Sequence, residues 1–302
     1  MDRLDELALF LAIVDGGSLA AAARRTGRSA PAVTRSLNEL ECRLGIRLLE
    51  RTTRKLALTD AGLRLAEHAR RLTEDYEDAM RDTSGEGAAP RGRLRVSAPL
   101  VFGRRHLAPV VAAFLDAYPE ITAELSLEDR MVDLIEEGVD VALRIAHLDS
   151  SSLVSRRVGW VRTVVVASPE YLRQHGIPND PDELSGHRII LFVPQGSGAV
   201  WRFAGVDGRE RTLRVTGRFQ VNRAEAAIDA VRDGQGITAT LSYQVASDLA
   251  AGTLVRILRD FEQPSIPVQL VYPSTRLMAP RLRAFLDFAV PKLSALSELR
   301  QE

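Results

Sequence analysis

The stretch that most constrains this chain lies between Gly16 and Gly45, where two short helices are punctuated residue by residue. Leu4, Leu7, Phe10, Leu11 and Val14 recur at helical spacing and predict a first amphipathic helix that ends at Gly16-Gly17. Ser18 is a natural N-cap for the helix-forming run Leu19–Arg25, whose small alanines permit close approach of another backbone. Thr26-Gly27-Arg28 forms a turn in which Gly27 can take positive φ. Ser29 caps the next helix, and Pro31 is tolerated in its first turn, where its missing amide has no partner to lose. Val33, Leu37, Leu40 and Leu44 form the predicted buried stripe, and Gly45 stops the helix.

Two helices joined by a three-residue turn make a helix-turn-helix unit, in which the start of the second helix enters the DNA major groove. Ala30, Thr34, Arg35 and Asn38 face away from the stripe. Arginine takes guanine bidentately, asparagine takes adenine, and threonine reaches a base or a phosphate. Ser18, Arg28, Ser29 and Pro31 flank this face and complete the candidate set on the helices. A helical hairpin in an enzyme is the alternative, and the chemistry of the exposed face weighs against it.

The segments Ile46–Arg51 and Lys55–Thr59 read as two short strands around Thr52-Thr53-Arg54. They predict a β-hairpin wing whose tip, with Arg51, Thr52, Thr53 and Arg54, suits contact with the DNA backbone or minor groove. Charge supports this. The chain is neutral overall, yet Arg24–Lys55 holds nine basic residues and three acids, whereas Asp60–Pro90 holds eight acids and four arginines. A local basic block in a neutral protein points to a polyanion partner, double-stranded DNA.

Several of these segments also fit one family pattern. Gly17–Ala23, Ser29–Leu37, Leu40-Glu41, Leu44-Gly45, Leu48–Thr52 and Leu58–Gly62 together resemble the DNA-binding domain of the LysR-type transcriptional regulators. Many members carry glutamine where this chain has Ala30, so one base-reading hydrogen bond is missing here. The resemblance implies domains at residues 1–60 (winged helix-turn-helix), 61–90 (dimerisation helix and hinge) and 91–302 (effector binding).

After Thr59, a plausible N-cap, Leu65, Ala69, Leu72, Tyr76 and Ala79 follow at alternating steps of four and three. That is a short heptad seam, and the alternative is a helix packed on its own domain. The resemblance favours a dimer, which would present two recognition helices to an interrupted inverted repeat. Thr83–Gly92 has the composition of a flexible linker.

From Arg93 short apolar strands alternate with helices, which argues for parallel sheets covered on both faces. Strands are predicted at Leu94–Ser97, Ile121–Leu127, Val141–Arg144, Val161–Val166, Gly236–Leu241 and Val268–Tyr272. Helices are predicted at Leu107–Leu115, Val132–Glu137, Ala224–Arg232 and Arg281–Val290. The fold class expected is α/β overall: a helix-rich winged helix-turn-helix and linker helix, then a two-lobed α/β effector domain. By resemblance that domain is similar to type 2 periplasmic binding proteins, with lobe I about 91–162 and 268–302 and lobe II about 163–267. Ligands in such folds sit at strand C-termini near helix starts. Candidate effector contacts are therefore Ser97, Ala98, Pro99 and Leu100 after the first strand, Asp129 where a helix begins opposite, Arg144 at a strand end, Asn222 opening a helix and Thr240 ending a strand. Each has a structural alternative: caps for Ser97 and Asn222, a surface ion pair for Arg144, strand filler for Thr240.

Enzyme signatures are missing. No GxSxG elbow, P-loop or His-Glu-x-x-His helix occurs, Gly234-Gln235-Gly236 closes a helix rather than opening one, and the five histidines are scattered without metal-ligand spacing. No cofactor and no catalytic residue is expected. The single cysteine, Cys42, excludes a disulfide framework and reads as a small apolar helix residue, with redox sensing as its alternative. No apolar run is long enough for a membrane span, and Met1–Glu6 is acidic, unlike a signal peptide, so a cytoplasmic protein is expected. An exported solute-binding protein, the nearest rival, would need such a segment. The expected function is a transcription regulator working as a dimer or tetramer. A small organic effector would close its lobes and thereby alter DNA bending and contact with RNA polymerase.

Overall fold

The computed structural model describes residues 2–51, 56–83, 89–148, 153–193, 199–205, 209–274 and 278–300; within helices and strands, the side chains of 51, 74, 75, 78, 79 and 81–83 are left aside. The chain divides into two units, Met1–Gly92 with Leu277–Pro280, and Arg93–Arg276 with Arg281–Glu302.

The first unit is built from α1 (Arg3–Gly16), α2 (Leu19–Thr26), α3 (Ala30–Leu44), strands β1 (Leu49–Arg51) and β2 (Leu56–Leu58), and α4 (Asp60–Thr83). The caps are those the residue types demand. Ser18 Oγ accepts from the Ala21 amide at 3.1 Å and Ser29 Oγ from the Ala32 amide at 3.4 Å. Gly17, Gly27 and Gly45 each close a helix with φ near +60°. Phe10, Ile13, Ala22, Val33, Leu37, Leu40 and Leu48 form one core with Ala66 and Ala69 of α4.

Burial departs from expectation at three points. On α1, Leu4, Leu7 and Val14 are only half-buried while Leu9, Ala12 and Ile13 are fully inside, because α2, α3 and α4 pack around a wider arc of this helix. Leu44 is 45% exposed: it is the last residue of α3, and the stripe runs past the edge of the core there. Cys42 also lies on the solvent side of α3. The wing strands are shorter than expected, since the Gly45 and Ile46 amides turn back onto the Cys42 and Glu41 carbonyls. Glu41 Oε1 then accepts from the Leu48 and Leu49 amides at 2.8 and 3.1 Å, anchoring the wing to α3.

The second unit begins with β3 (Gly92–Ala98) and a helical run, α5 (Leu100–Phe102), a π-turn at Gly103–Leu107 and α6 (Ala108–Ala117). There follow β4 (Ile121–Leu127), β5 (Val141–Ile145), β6 (Leu153–Val161), β7 (Thr163–Ala167), α7 (Pro169–His175), β8 (Ile190–Phe192), β9 (Val200–Ala204), β10 (Glu210–Arg214), β11 (Phe219–Val221), α8 (Ala224–Arg232), β12 (Ile237–Leu241), α9 (Ala246–Ala251), β13 (Val255–Ile257), β14 (Ile266–Pro273) and α10 (Pro280–Ser294). One sheet has the order β4-β3-β5-β14-β6, and a second has the order β12-β7-β13. The chain passes from the first sheet to the second at Arg162 and returns after β13, so the two sheets are joined by two crossings.

The first sheet is mixed and the second antiparallel, rather than parallel. β3–β5 and β8–β11 pair parallel, whereas β14 runs antiparallel to β5 and β6, and β12 and β13 run antiparallel to β7. The predicted helix at Val132–Glu137 is a set of turns. The Asp133 carboxylate accepts from the Ile135 and Glu136 amides at 2.9 and 3.0 Å, which closes one turn, and Gly138 leaves it at φ 65°. Among the described residues no helix is long and apolar enough to cross a membrane.

Candidate DNA interface and effector pocket

On the first unit, the start of α3 is an exposed polar face on a fixed base. Arg28, Ser29, Ala30, Pro31, Arg35 and Asn38 are exposed, while Val33, Leu37 and Leu40 hold the opposite side in the core. Arg35 makes no ion pair among the described residues. Thr34 is half-buried and donates its hydroxyl to the Ala30 carbonyl at 3.0 Å, so it is a weaker candidate for base contact than its spacing suggested. Ser18 spends its oxygen on the α2 cap. Thr52, Thr53 and Arg54 lie outside the described residues, as does the Arg51 side chain.

The expected dimerisation seam divides in two. Leu65 and Ala69 pack into the first unit's own core, with Ala69 fully buried. Leu72 and Tyr76 are exposed at 54% and 50%, and Met80 joins them at 55%. Ala79 carries no described side chain. The first half of the helix is packed at home, and its second half presents an apolar stripe at four-residue steps.

In the second unit, Ser97, Ala98, Pro99, Asp129 and Arg144 line one pocket of about 160 Å³. Ser97 is buried and lines this pocket. Arg144 donates from Nη2 to the Val132 carbonyl at 2.5 Å, and burial holds its guanidinium below the usual arginine range. Its neighbour Arg130 is already committed, to Glu128 and Glu137 at 2.6 Å each. Arg144 makes no ion pair among the described residues; Asp133 offsets its charge only at a distance, so it brings positive charge to the pocket.

Three other candidates are spent differently. The Leu100 amide, expected to be free for an anion, donates to Asp129 Oδ1 at 3.0 Å. This carboxylate caps α5 from outside, and its other oxygen lies 3.4 Å from Arg223 Nη1. Thr240 is buried and donates its hydroxyl to Gln244 Oε1, which also takes the Leu241 amide. Asn222 is exposed two residues before α8 and does not cap it; Arg223 occupies the cap position. Neither Asn222 nor Thr240 lines the pocket of the other five.

Two family models match the chain: a bacterial regulatory helix-turn-helix protein of the lysR family over residues 4–63, and a LysR substrate binding domain over residues 87–294. The chain belongs to the LysR family of transcriptional regulators. The probable regulator LtrA of Klebsiella pneumoniae is 36% identical over 98% of this chain and 97% of its own length. Among solved structures, CrgA from Neisseria meningitidis aligns with TM-score 0.61 at 33% identity, covering 97% of this chain and 99% of that one. The full-length Vibrio cholerae virulence activator AphB aligns with TM-score 0.60 at 31% identity, covering 96% and 99%.

This LysR-family protein is thus a DNA-binding transcriptional regulator with an effector-binding domain, and not an enzyme. The sequence did not signal how its effector unit is held across the two crossings. Arg104 pairs with Glu225, Arg223 faces Asp129, and Arg105 Nη1 donates to the Gln244 carbonyl at 2.9 Å. These partners lie about a hundred residues apart in sequence, beyond the reach of any local pattern. Glu41 was visible only as part of a motif; its work as the clamp on the Leu48 and Leu49 amides needed coordinates.

Proposed function

We propose that this regulator reads an interrupted inverted repeat as a dimer or tetramer, through Arg28, Ser29, Ala30, Pro31, Arg35 and Asn38 on each recognition helix and the wing at residues 51–54. The observation that carries the reading is the Ser29-capped start of α3, exposed and polar above a buried Val33, Leu37 and Leu40. The second half of α4, with Leu72, Tyr76 and Met80 exposed, would bury its stripe against a second copy. The domain limits follow the resemblance: 1–60 for DNA binding, 61–90 for dimerisation and hinge, 91–302 for the effector, and lobes exchanging near residues 162 and 267. Effector binding would change the angle between the DNA-binding arms and with it DNA bending and contact with RNA polymerase.

Arg35→Ala tests the interface. Loss of a bidentate base contact weakens binding to the specific site by about 1–3 kcal/mol and leaves affinity for random DNA little changed. Fluorescence anisotropy with both DNAs makes the comparison. Equal losses on the two would reduce Arg35 to a phosphate contact.

The effector we propose is a small organic acid. Arg144 supplies a guanidinium without an ion-pair partner among the described residues and Ser97 a hydroxyl, a pair that receives a carboxylate, while Asp129 at the rim accepts from a hydroxyl or amine on the same molecule. A short-chain mono- or dicarboxylate that raises the parent's melting temperature will lose about 1.5–3 kcal/mol of affinity with Arg144→Gln. A thermal-shift panel of such acids on parent and variant is the test. If no acid stabilises the parent, or if the variant responds equally, Arg144 is not the receptor.

A further inference from the structure

A second and larger cavity, of about 420 Å³, opens where the chain crosses between the two sheets of the effector unit. It shares no lining residue with the pocket under Arg144. Trp160 is the second-last residue of β6, Arg162 is the single residue joining β6 to β7, and Ser265 stands on the return crossing just before β14. The opposite wall comes from Leu249 and Ala246 of α9. Both crossings, at Arg162 and Ser265, thus contribute to one cavity.

The lining has a definite chemistry. Arg256 is neutralised by Glu262, which meets its Nε and Nη2 with both carboxylate oxygens. Arg162 and Arg300 also line the cavity and make no ion pair among the described residues, and Glu298 is the one acid in the lining. Ser242 Oγ accepts from the Arg162 amide at 3.1 Å, which leaves its hydroxyl proton for a ligand. The Trp160 indole is fixed by the Arg157 guanidinium 4.6 Å from its ring centre and, with Leu249 and Ala246, supplies an apolar wall. Two guanidiniums without ion-pair partners among the described residues, against one acid and beside an apolar wall, select an organic anion: planar guanidinium forks grip a carboxylate while the wall takes its hydrocarbon body.

We propose that this cavity is a second ligand site, separate from the effector pocket, and that it takes an aryl or arylalkyl carboxylate. Because its walls come from both sides of the crossings, occupancy favours one separation of the two sheets over another. It thereby couples to the effector pocket by the difference in affinity between those states. The site stands whether or not the effector itself is an acid.

The test is a titration of the full-length chain with phenylacetate, with 2-phenylethanol as its uncharged counterpart. The chain has two tryptophans, so Trp201→Phe leaves Trp160 as the only indole reporter. Phenylacetate is expected to change Trp160 emission saturably, and the alcohol to bind about tenfold more weakly or not at all. Arg162→Gln and Arg300→Gln each cut phenylacetate affinity about tenfold, whereas Arg144→Gln leaves it unchanged. Calorimetry on the parent chain gives the same comparison without the tryptophan substitution. No saturable binding in the millimolar range, equal binding of the alcohol, or dependence on Arg144 in place of Arg162 and Arg300 would overturn the proposal.

Discussion

Phe10→Ala will cost the DNA-binding unit about 3–5 kcal/mol, the usual range for emptying a buried phenylalanine site. Phe10 is 1% exposed and belongs to the core that joins α1 to Leu37 and Leu40 of the recognition helix and to Ala66 and Ala69 of α4. The cavity thus opens directly behind the face proposed to read DNA. Since small domains hold only about 5–15 kcal/mol in total, this single truncation removes a large share. The variant is expected to lose DNA binding at temperatures where the parent retains it, with loss of helical circular dichroism. Leu44→Ala, at a residue 45% exposed, is the matched control and should cost well under half as much. Equal melting of parent and Phe10→Ala would show that α1 is not part of the core that orients α3.

Gly62→Ala should also destabilise the unit, although helix propensity alone predicts a gain of about 1 kcal/mol. Gly62 lies in the first turn of α4, where an added Cβ would stand 2.0 Å from the Leu48 carbonyl oxygen and 2.9 Å from its carbon. Both atoms belong to backbone that cannot rotate away. That carbonyl also accepts the Thr59 amide at 3.0 Å, and Thr59 Oγ1 caps the Gly62 amide at 3.0 Å. Moving α4 away therefore breaks the joint between the wing and the helix. We expect a net loss of about 1–3 kcal/mol, or roughly 4–8 °C in melting temperature for each kcal/mol in a unit of this size. Gly186→Ala, where a Cβ meets nothing within 4 Å, is the neutral comparison. A rise in melting temperature for Gly62→Ala would mean that the α4–wing contact is looser than described.

The DNA-binding unit was largely legible because its determinants are local. Ser18, Ser29, Gly27 and Gly45 act within four residues of themselves, so spacing alone places both helices and their turn. Legibility ended where a residue's partner is remote. The start of α5 was missed because its cap, Asp129, comes from another segment, and the same contact removed the Leu100 amide from the anion donors. Val132–Glu137 has helical spacing, but Asp133 captures two amides and stops it after one turn. Thr240 lies near the end of β12, where its sequence position leaves it open, yet Gln244 folds back four residues later to take its hydroxyl. The direction of β14 and the cavity at the crossings depend on which strands lie side by side, and no local pattern encodes that.

The central claim, that this chain is a sequence-specific regulator reading an inverted repeat, is tested most directly by recovering its DNA. Sheared genomic fragments retained by the purified protein are sequenced at a low and a higher salt concentration. Phosphate contacts weaken steeply with salt while base readout persists in relative terms. The account predicts enrichment of one interrupted inverted repeat whose lead over other fragments survives the higher salt. Retention without a shared sequence, falling uniformly with salt, would show that the basic block is only a charged surface and would contradict it.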